Sequence, residues 1–325
     1  MKITPDDIRG VFGILPAPAT PDAESWSATS TINFSETERM VGIVNRAGVE
    51  IISTTGTFGE GATLTLDELI DFTRCVAQAN AKSRPYFAGV TTLNTRDTIT
   101  RGRLLIEAGA DGLFVGRPMW LAMDEQAIVR YYRDIAEALP SVPLIVYDNQ
   151  VAFKGKISQA AYQALAELPE VVGAKHTGGP LLESDMVAVG RAMRILPPAG
   201  SWNQVAERQP DLALSGWAGS VACAPEPVVR LAKAIAARDW IIAEEVGSKM
   251  RWAESAMMPG GDLVRFMDYS IPIAHLRFKH AGLIDPGPPR PPYLFLPDEY
   301  RDGGIECGRR WAQLQAEYSA VTASA

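Results

Sequence analysis

The sequence predicts an α/β fold, a (β/α)8 TIM barrel with a C-terminal helical extension, and three observations point there. Short apolar runs rich in β-branched residues alternate with longer amphipathic stretches over the first two thirds of the chain, the pattern of repeated βα units around a parallel sheet. Eight such runs can be counted, the number that closes a barrel. The first run leads into Pro16-Ala-Pro-Ala-Thr-Pro21, not into the GxGxxG turn that an open dinucleotide-binding sheet places after its first strand.

In chain order the expected strands are Val11–Pro16, Glu50–Thr55, Tyr86–Thr91, Gly112–Gly116, Leu144–Asp148, Val171–His176, Ala192–Leu196 and Ala213–Trp217. Helices are expected over Ser35–Ala47, Leu66–Ala79, Arg96–Ala108, Glu125–Ala138 and Gln159–Leu168, where apolar residues recur with helical spacing and Gly-Ala-Asp or Ala-Gly-Val-Glu turns feed the next strand. From Glu226 the texture becomes helical, with Val228–Arg238, Trp240–Ser255 and Tyr269–Gly282, so residues 1–225 read as the barrel and 226–325 as the extension. Asp285–Pro292 (DPGPPRPP) reads as a stiff extended connector before a last helix near Gly308–Tyr318.

At 325 residues and 47% hydrophobic content the chain can bury a large core. A formal charge of −7 without any basic stripe argues against nucleic acid, whose binding needs clustered cations that displace counterions. Cys75, Cys223 and Cys307 are far apart and lack CxxC spacing, which suggests neither a disulfide framework nor a thiolate zinc site and fits a reducing compartment. The N-terminal apolar run is short, follows two acids and meets prolines, a poor secretory signal, and no stretch has transmembrane length. The expectation is a cytoplasmic enzyme acting on a small molecule, with no nucleic-acid or membrane partner.

Barrel enzymes carry their working groups at the C-terminal ends of strands. Strand six ends in Lys175-His176-Thr177, within an otherwise apolar run. Pointed into the barrel mouth, the Lys175 amine would lose solvation, drop its pKa and become a nucleophile toward ketones; a lysine paired with a carboxylate fits the same pattern. Tyr147 ends the preceding strand, where its phenol would stand beside Lys175 and move protons, or cap a backbone group like other packed tyrosines. Asn149 follows two residues later.

The Thr54-Thr55-Gly56-Thr57-Phe58-Gly59 turn after strand two offers hydroxyls and backbone N–H groups suited to a small carboxylate, although a plain strand-to-helix turn explains its glycines equally well. Trp217 at the end of strand eight and Trp120 after strand four are placed to stand at the rim or to pack against other surfaces. His275 and His280 are five apart on an expected helix and point to different faces, and His176 flanks Lys175 on the opposite side of its strand, where packing is its expected role. No metal site follows, and no GxSxG elbow marks a serine hydrolase.

A strand-two TGTFGE turn, a tyrosine ending strand five, a lysine in strand six and a helical tail together resemble the dihydrodipicolinate synthase and N-acetylneuraminate lyase superfamily. Pro18–Thr29, Thr55–Glu68, Tyr86–Ile99 and Arg290–Tyr300 are similar to the hydratase-aldolases of aromatic degradation that act on trans-o-hydroxybenzylidenepyruvate and 2′-carboxybenzalpyruvate. The resemblance covers essentially the whole chain. It implies that Lys175 forms a Schiff base with no metal or organic cofactor, and that Tyr147 shuttles protons. It further implies that Thr57 with the Gly56 and Phe58 backbone holds the pyruvyl carboxylate, and that Asn149 handles water or substrate.

Trp217, Trp120 and Phe58 are then the candidates for an aryl pocket, and a homo-oligomer, a tetramer by analogy, is expected. Two departures from the synthases narrow the choice. Ala152 occupies the position where they carry a carboxylate-binding arginine, which argues against lysine biosynthesis, and Phe58 replaces a second threonine, which suits an aromatic ligand. A lyase for sugar-derived 2-keto acids and a noncatalytic keto-acid-binding member are the alternatives.

Overall fold

The computed structural model describes residues 3–323. Eight parallel strands form its centre: β1 (Gly10–Leu15), β2 (Ile51–Thr54), β3 (Tyr86–Val90), β4 (Gly112–Gly116), β5 (Leu144–Tyr147), β6 (Val171–Lys175), β7 (Arg194–Leu196) and β8 (Ser215–Ala218). Each pairs with its neighbour in sequence from β1 to β7, and β8 returns to pair with β1. Between β7 and β8 the wall is joined by the Pro198–Trp217 bridge and the bond from Trp217 N to Pro197 O, 2.9 Å. The result is the (β/α)8 barrel the alternation predicts. Phe12, Phe87, Phe114 and Ile145 are buried in one cluster that fills the interior, with Phe12 edge-on to Phe114 at 5.6 Å.

The helices form where the sequence supplies both an apolar stripe and a start signal. Asn33 caps α1 (Phe34–Ala47) by accepting from Glu36 N, and Gly48 ends it at φ 96°, a left-handed conformation that costs glycine little. Thr65 and Glu68 form a capping box on α2 (Leu66–Asn80). Asn94, Asp124 and Ser158 cap α3 (Thr95–Glu107), α4 (Glu125–Ala138) and α5 (Gln159–Ala166).

The barrel helices α6 (Leu182–Val189) and α7 (Ala199–Arg208) were not anticipated from periodicity. Neither has a side-chain N-cap, their cap positions being Leu181 and Pro198, so the start signals are missing. Strand β2 ends one residue before its expected limit because Thr55 has φ 52°, which turns the chain out of the extended conformation.

Helix α8 (Pro225–Ala236), read from the sequence as the first helix of the extension, packs on β1 and β8 as the helix of the eighth βα unit. The tail consists of α9 (Trp240–Ser255), the short α10 (Leu263–Asp268), α11 (Ser270–Ala281) and α12 (Asp298–Ala323). Helix α12 starts ten residues earlier than expected, through a stretch whose glycines read as breakers. Those glycines serve contact: a Cβ on Gly303 would lie 2.5 Å from Ala256 O, and one on Gly308 2.5 Å from Arg277 O. Among the described residues no helix is long and apolar enough to cross a membrane.

Candidate active site

The C-terminal ends of β5 and β6 meet in register with Tyr147 opposite Lys175, so the ladder itself delivers a phenol and an amine to one place. Lys175 is 5% exposed. Its Nζ lies 4.9 Å from the centre of the Tyr147 ring and 3.9 Å from that of Trp217. Burial strips water from the ammonium and pulls the Lys175 pKa down to about 7, against a smaller upward pull from Asp148. Near neutral pH much of this amine is unprotonated, and an unprotonated amine attacks carbonyl carbon.

Beside it lies a relay of hydroxyl groups. The Thr57 N–H donates to Tyr147 Oη at 3.2 Å, and Asn149 Nδ2 donates to the same oxygen at 3.4 Å and to Thr57 Oγ1 at 3.3 Å. With two N–H donors on Oη, the phenol's own proton is directed to its hydrogen-bond partner Thr57 Oγ1. Asn149 is fixed in this orientation because its Oδ1 accepts from Val151 N at 3.3 Å and Ala152 N at 3.2 Å. Tyr147 is held from behind by stacking on Phe114 at 4.4 Å and by the edge contact with Phe153 at 5.1 Å.

Thr57 reaches Tyr147 because the chain bends sharply at Thr55. A left-handed φ of 52° on a β-branched residue costs on the order of 1–3 kcal/mol, and the bond from Thr55 Oγ1 to Gly89 O, 3.0 Å, helps hold it. Gly89 must be glycine for this approach, since a Cβ there would lie 2.4 Å from Thr54 O. Gly56 is under no such constraint; a Cβ would meet Ile14 at 3.5 Å and Tyr147 Oη at 3.9 Å.

Behind Lys175 a buried polar network, not foreseen from the sequence, supports both strand ends. Arg117 Nη2 donates to Asp148 Oδ1 at 2.9 Å, and Tyr162 donates to Asp148 Oδ2 at 3.0 Å. His176 points away from the barrel interior: its Nδ1 accepts from Gly178 N at 2.9 Å, so Nε2 carries the proton and donates to Asp185 at 3.1 Å. Its pKa is lowered, first by burial and then by the Lys156 charge, so the imidazole is a neutral structural element. Arg117→Met would leave the Asp148 carboxylate buried without its cation. The expected cost is about 3–5 kcal/mol, read as a lower urea midpoint with an unchanged slope.

A cleft of about 270 Å³ opens from Thr57 and Tyr147 outward. Its lining combines the apolar Met119, Val151, Phe153, Met267, Ile271 and Tyr293 with the polar Thr91, Arg101, Asp268 and Ser270. Of the aromatic residues expected to form an aryl pocket, Trp217 stands against Lys175 with its Nε1 donating to His176 O at 2.7 Å. Trp120 is 74% exposed and offers its carbonyl to Lys154 Nζ at 2.8 Å, while its neighbour Met119 lines the cleft. Phe58 turns to Phe278 at 6.1 Å, under the Arg277 guanidinium at 5.2 Å. The structure thus brings Lys175, Tyr147, Asn149, Thr57, Gly56 and Trp217 together, leaves the Trp120 ring exposed, and packs the Phe58 ring against both Phe278 and the interior cluster that contains Tyr147. Met267 and Tyr293 carry no local signal beyond the similarity of Arg290–Tyr300 noted above.

A buried lysine in register with a tyrosine at the C-terminal mouth defines a class: (β/α)8 barrel proteins with an amine and a phenol side by side at the strand ends. Comparisons give the family. The dihydrodipicolinate synthetase family model matches residues 11–235. Over 99% of this chain and 98% of its own length, the trans-2′-carboxybenzalpyruvate hydratase-aldolase of Nocardioides sp. (strain KP7) is 46% identical. The trans-O-hydroxybenzylidenepyruvate hydratase-aldolase of Pseudomonas aeruginosa is 37% identical over 98% of this chain and 96% of its own. Among solved structures, PhdJ bound to substrate intermediate superposes with a TM-score of 0.96 at 47% identity, covering 98% of this chain and 99% of that one. The chain belongs to the dihydrodipicolinate synthetase family.

Proposed function

We propose that the protein is a lyase, a class I hydratase-aldolase that cleaves an aryl-substituted 2-oxo-3-enoate, aryl–CH=CH–CO–COO⁻, to an aromatic aldehyde and pyruvate in aromatic hydrocarbon catabolism. The observation that carries this reading is the buried Lys175 amine in register with Tyr147, in a chain similar along its length to hydratase-aldolases. Lys175 adds to the substrate ketone and water leaves, giving an iminium. Its positive nitrogen draws electrons through the conjugated alkene, so water adds at the benzylic carbon and the adjoining carbon takes a proton.

Tyr147 next removes the hydroxyl proton, the carbon–carbon bond breaks, and its electrons enter an enamine of pyruvate as the aldehyde departs. Protonation of the enamine and hydrolysis of the imine release pyruvate and return the lysine. The Schiff base acts as electron sink in both halves, in place of a cofactor. Thr57 with the Gly56 and Phe58 backbone binds the pyruvyl carboxylate, and Asn149 positions the water. The aryl group lies along the apolar part of the cleft wall, formed by Met119, Val151, Met267 and Ile271.

Incubation with pyruvate and borohydride, followed by peptide mass spectrometry, tests the covalent step. An adduct on Lys175 is expected, and a folded protein with none would leave only a keto-acid-binding role. Because the amine must be neutral to attack, the trapping rate should climb as pH rises through about 7 and then level off; a flat profile would contradict the assignment. The three cysteines are buried free thiols, which supports a reducing, cytoplasmic setting. Exposed Leu93, Trp120 and Leu121, on the loops after β3 and β4, support a homo-oligomer that covers them.

A further inference from the structure

The connector between α11 and α12 contains Arg290, which is 2% exposed. All five of its guanidinium N–H groups find acceptors. Nε donates to Thr31 Oγ1 at 2.7 Å; Nη1 donates to Ala17 O at 3.1 Å and to the Glu60 carboxylate; Nη2 donates to Thr31 O at 2.9 Å and Pro18 O at 3.5 Å. Glu60 closes the turn that carries Thr57, and it is as deeply buried, 1% exposed. Its Oε1 also lies 3.4 Å from His275 Nε2, while Oε2 has no hydrogen-bond partner among the described residues. The turn is tied to the same place by its backbone, Gly59 O accepting from Ala17 N at 2.9 Å. Three residues past Arg290, Tyr293 lines the cleft.

The geometry points to Arg290 as a positioning residue of the active site, holding the Gly56–Glu60 turn, and with it Thr57, from 230 positions away in the chain. A buried ion pair with every donor satisfied has one low-energy arrangement. Losing some of those donors leaves the Glu60 carboxylate or the carbonyls around it short of partners and frees the turn to shift. The Thr57 hydroxyl then no longer meets Tyr147 in the required geometry, although neither residue has been altered. Misplacement by about 1 Å is enough to slow a positioned reaction on the order of 100-fold.

The test uses the full-length protein and Arg290→Lys, which keeps the charge but offers three donors in place of five. Two quantities are read: amide hydrogen exchange of the peptide covering the turn, and steady-state kinetics normalised to sites trapped on Lys175 by pyruvate and borohydride. The variant should show faster exchange in the turn with β5 exchanging as in the wild type, and kcat about 100-fold lower with KM within about threefold. Unchanged exchange in the turn, exchange raised equally throughout the barrel, or an unchanged kcat per trapped site would each overturn the inference. If Arg290→Lys fails to fold, Glu60→Gln, which keeps the shape and removes the charge, is judged by the same two readouts. The kinetic arm rests on the proposed function, whereas the exchange arm does not. Absence of a wild-type adduct therefore sinks the function and leaves exchange to decide the role of Arg290.

Discussion

Lys175→Ala is expected to abolish cleavage, lowering kcat by at least about 10⁴-fold, and to eliminate the borohydride adduct with pyruvate. The lysines nearest it in sequence are engaged elsewhere: Lys154 reaches the Trp120 carbonyl and Lys156 lies 3.5 Å from Asp185. The fold should survive, because the substitution removes a group whose charged form burial penalises. A separate signature accompanies this. In the wild type the folded-state pKa of about 7 lies below the unfolded value, so between the two the unfolded chain binds one more proton and stability rises with pH. That part of the slope should vanish in Lys175→Ala, as denaturant titrations at several pH values would reveal. Retained turnover in a folded variant would sink the Schiff-base mechanism outright.

Tyr147→Phe should lower kcat by about 10²- to 10⁴-fold while pyruvate binding changes far less. The ring keeps its stacking on Phe114 and its edge contact with Phe153, so the wall of the site stays in place. What disappears is the oxygen on which Thr57 N and Asn149 Nδ2 converge, together with the proton path through Thr57 Oγ1. Titration of pyruvate against each variant, set beside single-turnover cleavage, separates the two quantities. Losses of equal size in both would assign the phenol to substrate positioning and leave proton transfer to another group.

Lys175 and Tyr147 were legible in the sequence because a parallel barrel converts strand order into spatial adjacency: a reactive residue ending β6 must lie beside one ending β5. Asn149, two residues beyond Tyr147, was singled out through the family resemblance. The Trp120 and Phe58 rings were not placeable in the same way, since each sits on a loop whose path depends on distant partners. Phe58 turns toward Arg277 and Phe278 on α11, and nothing near residue 58 announces that helix. The apolar wall was hidden for the same reason, with Met267 and Tyr293 arriving from the tail. Helices α6 and α7 escaped notice because they lack caps, and the start of α12 because its glycines, which read as breakers, serve helix contact. Local chemistry marks the residues that act, whereas long-range packing decides what surrounds them.

The pairing of β8 with β1 has a kinetic consequence. Ser215 Oγ donates to Gly10 O at 2.9 Å across 205 positions of chain, so the first strand waits for its second neighbour until nearly the whole barrel has been synthesised. Until then one edge of β1 offers unpaired amides and carbonyls to any passing strand. Closing so large a loop carries an entropic cost, and long-range closures of this kind slow folding. Because Trp217 sits on that closing strand, the environment of Lys175 is incomplete until β8 is in place. The chain therefore gains its reactive centre at the moment its most exposed edge disappears.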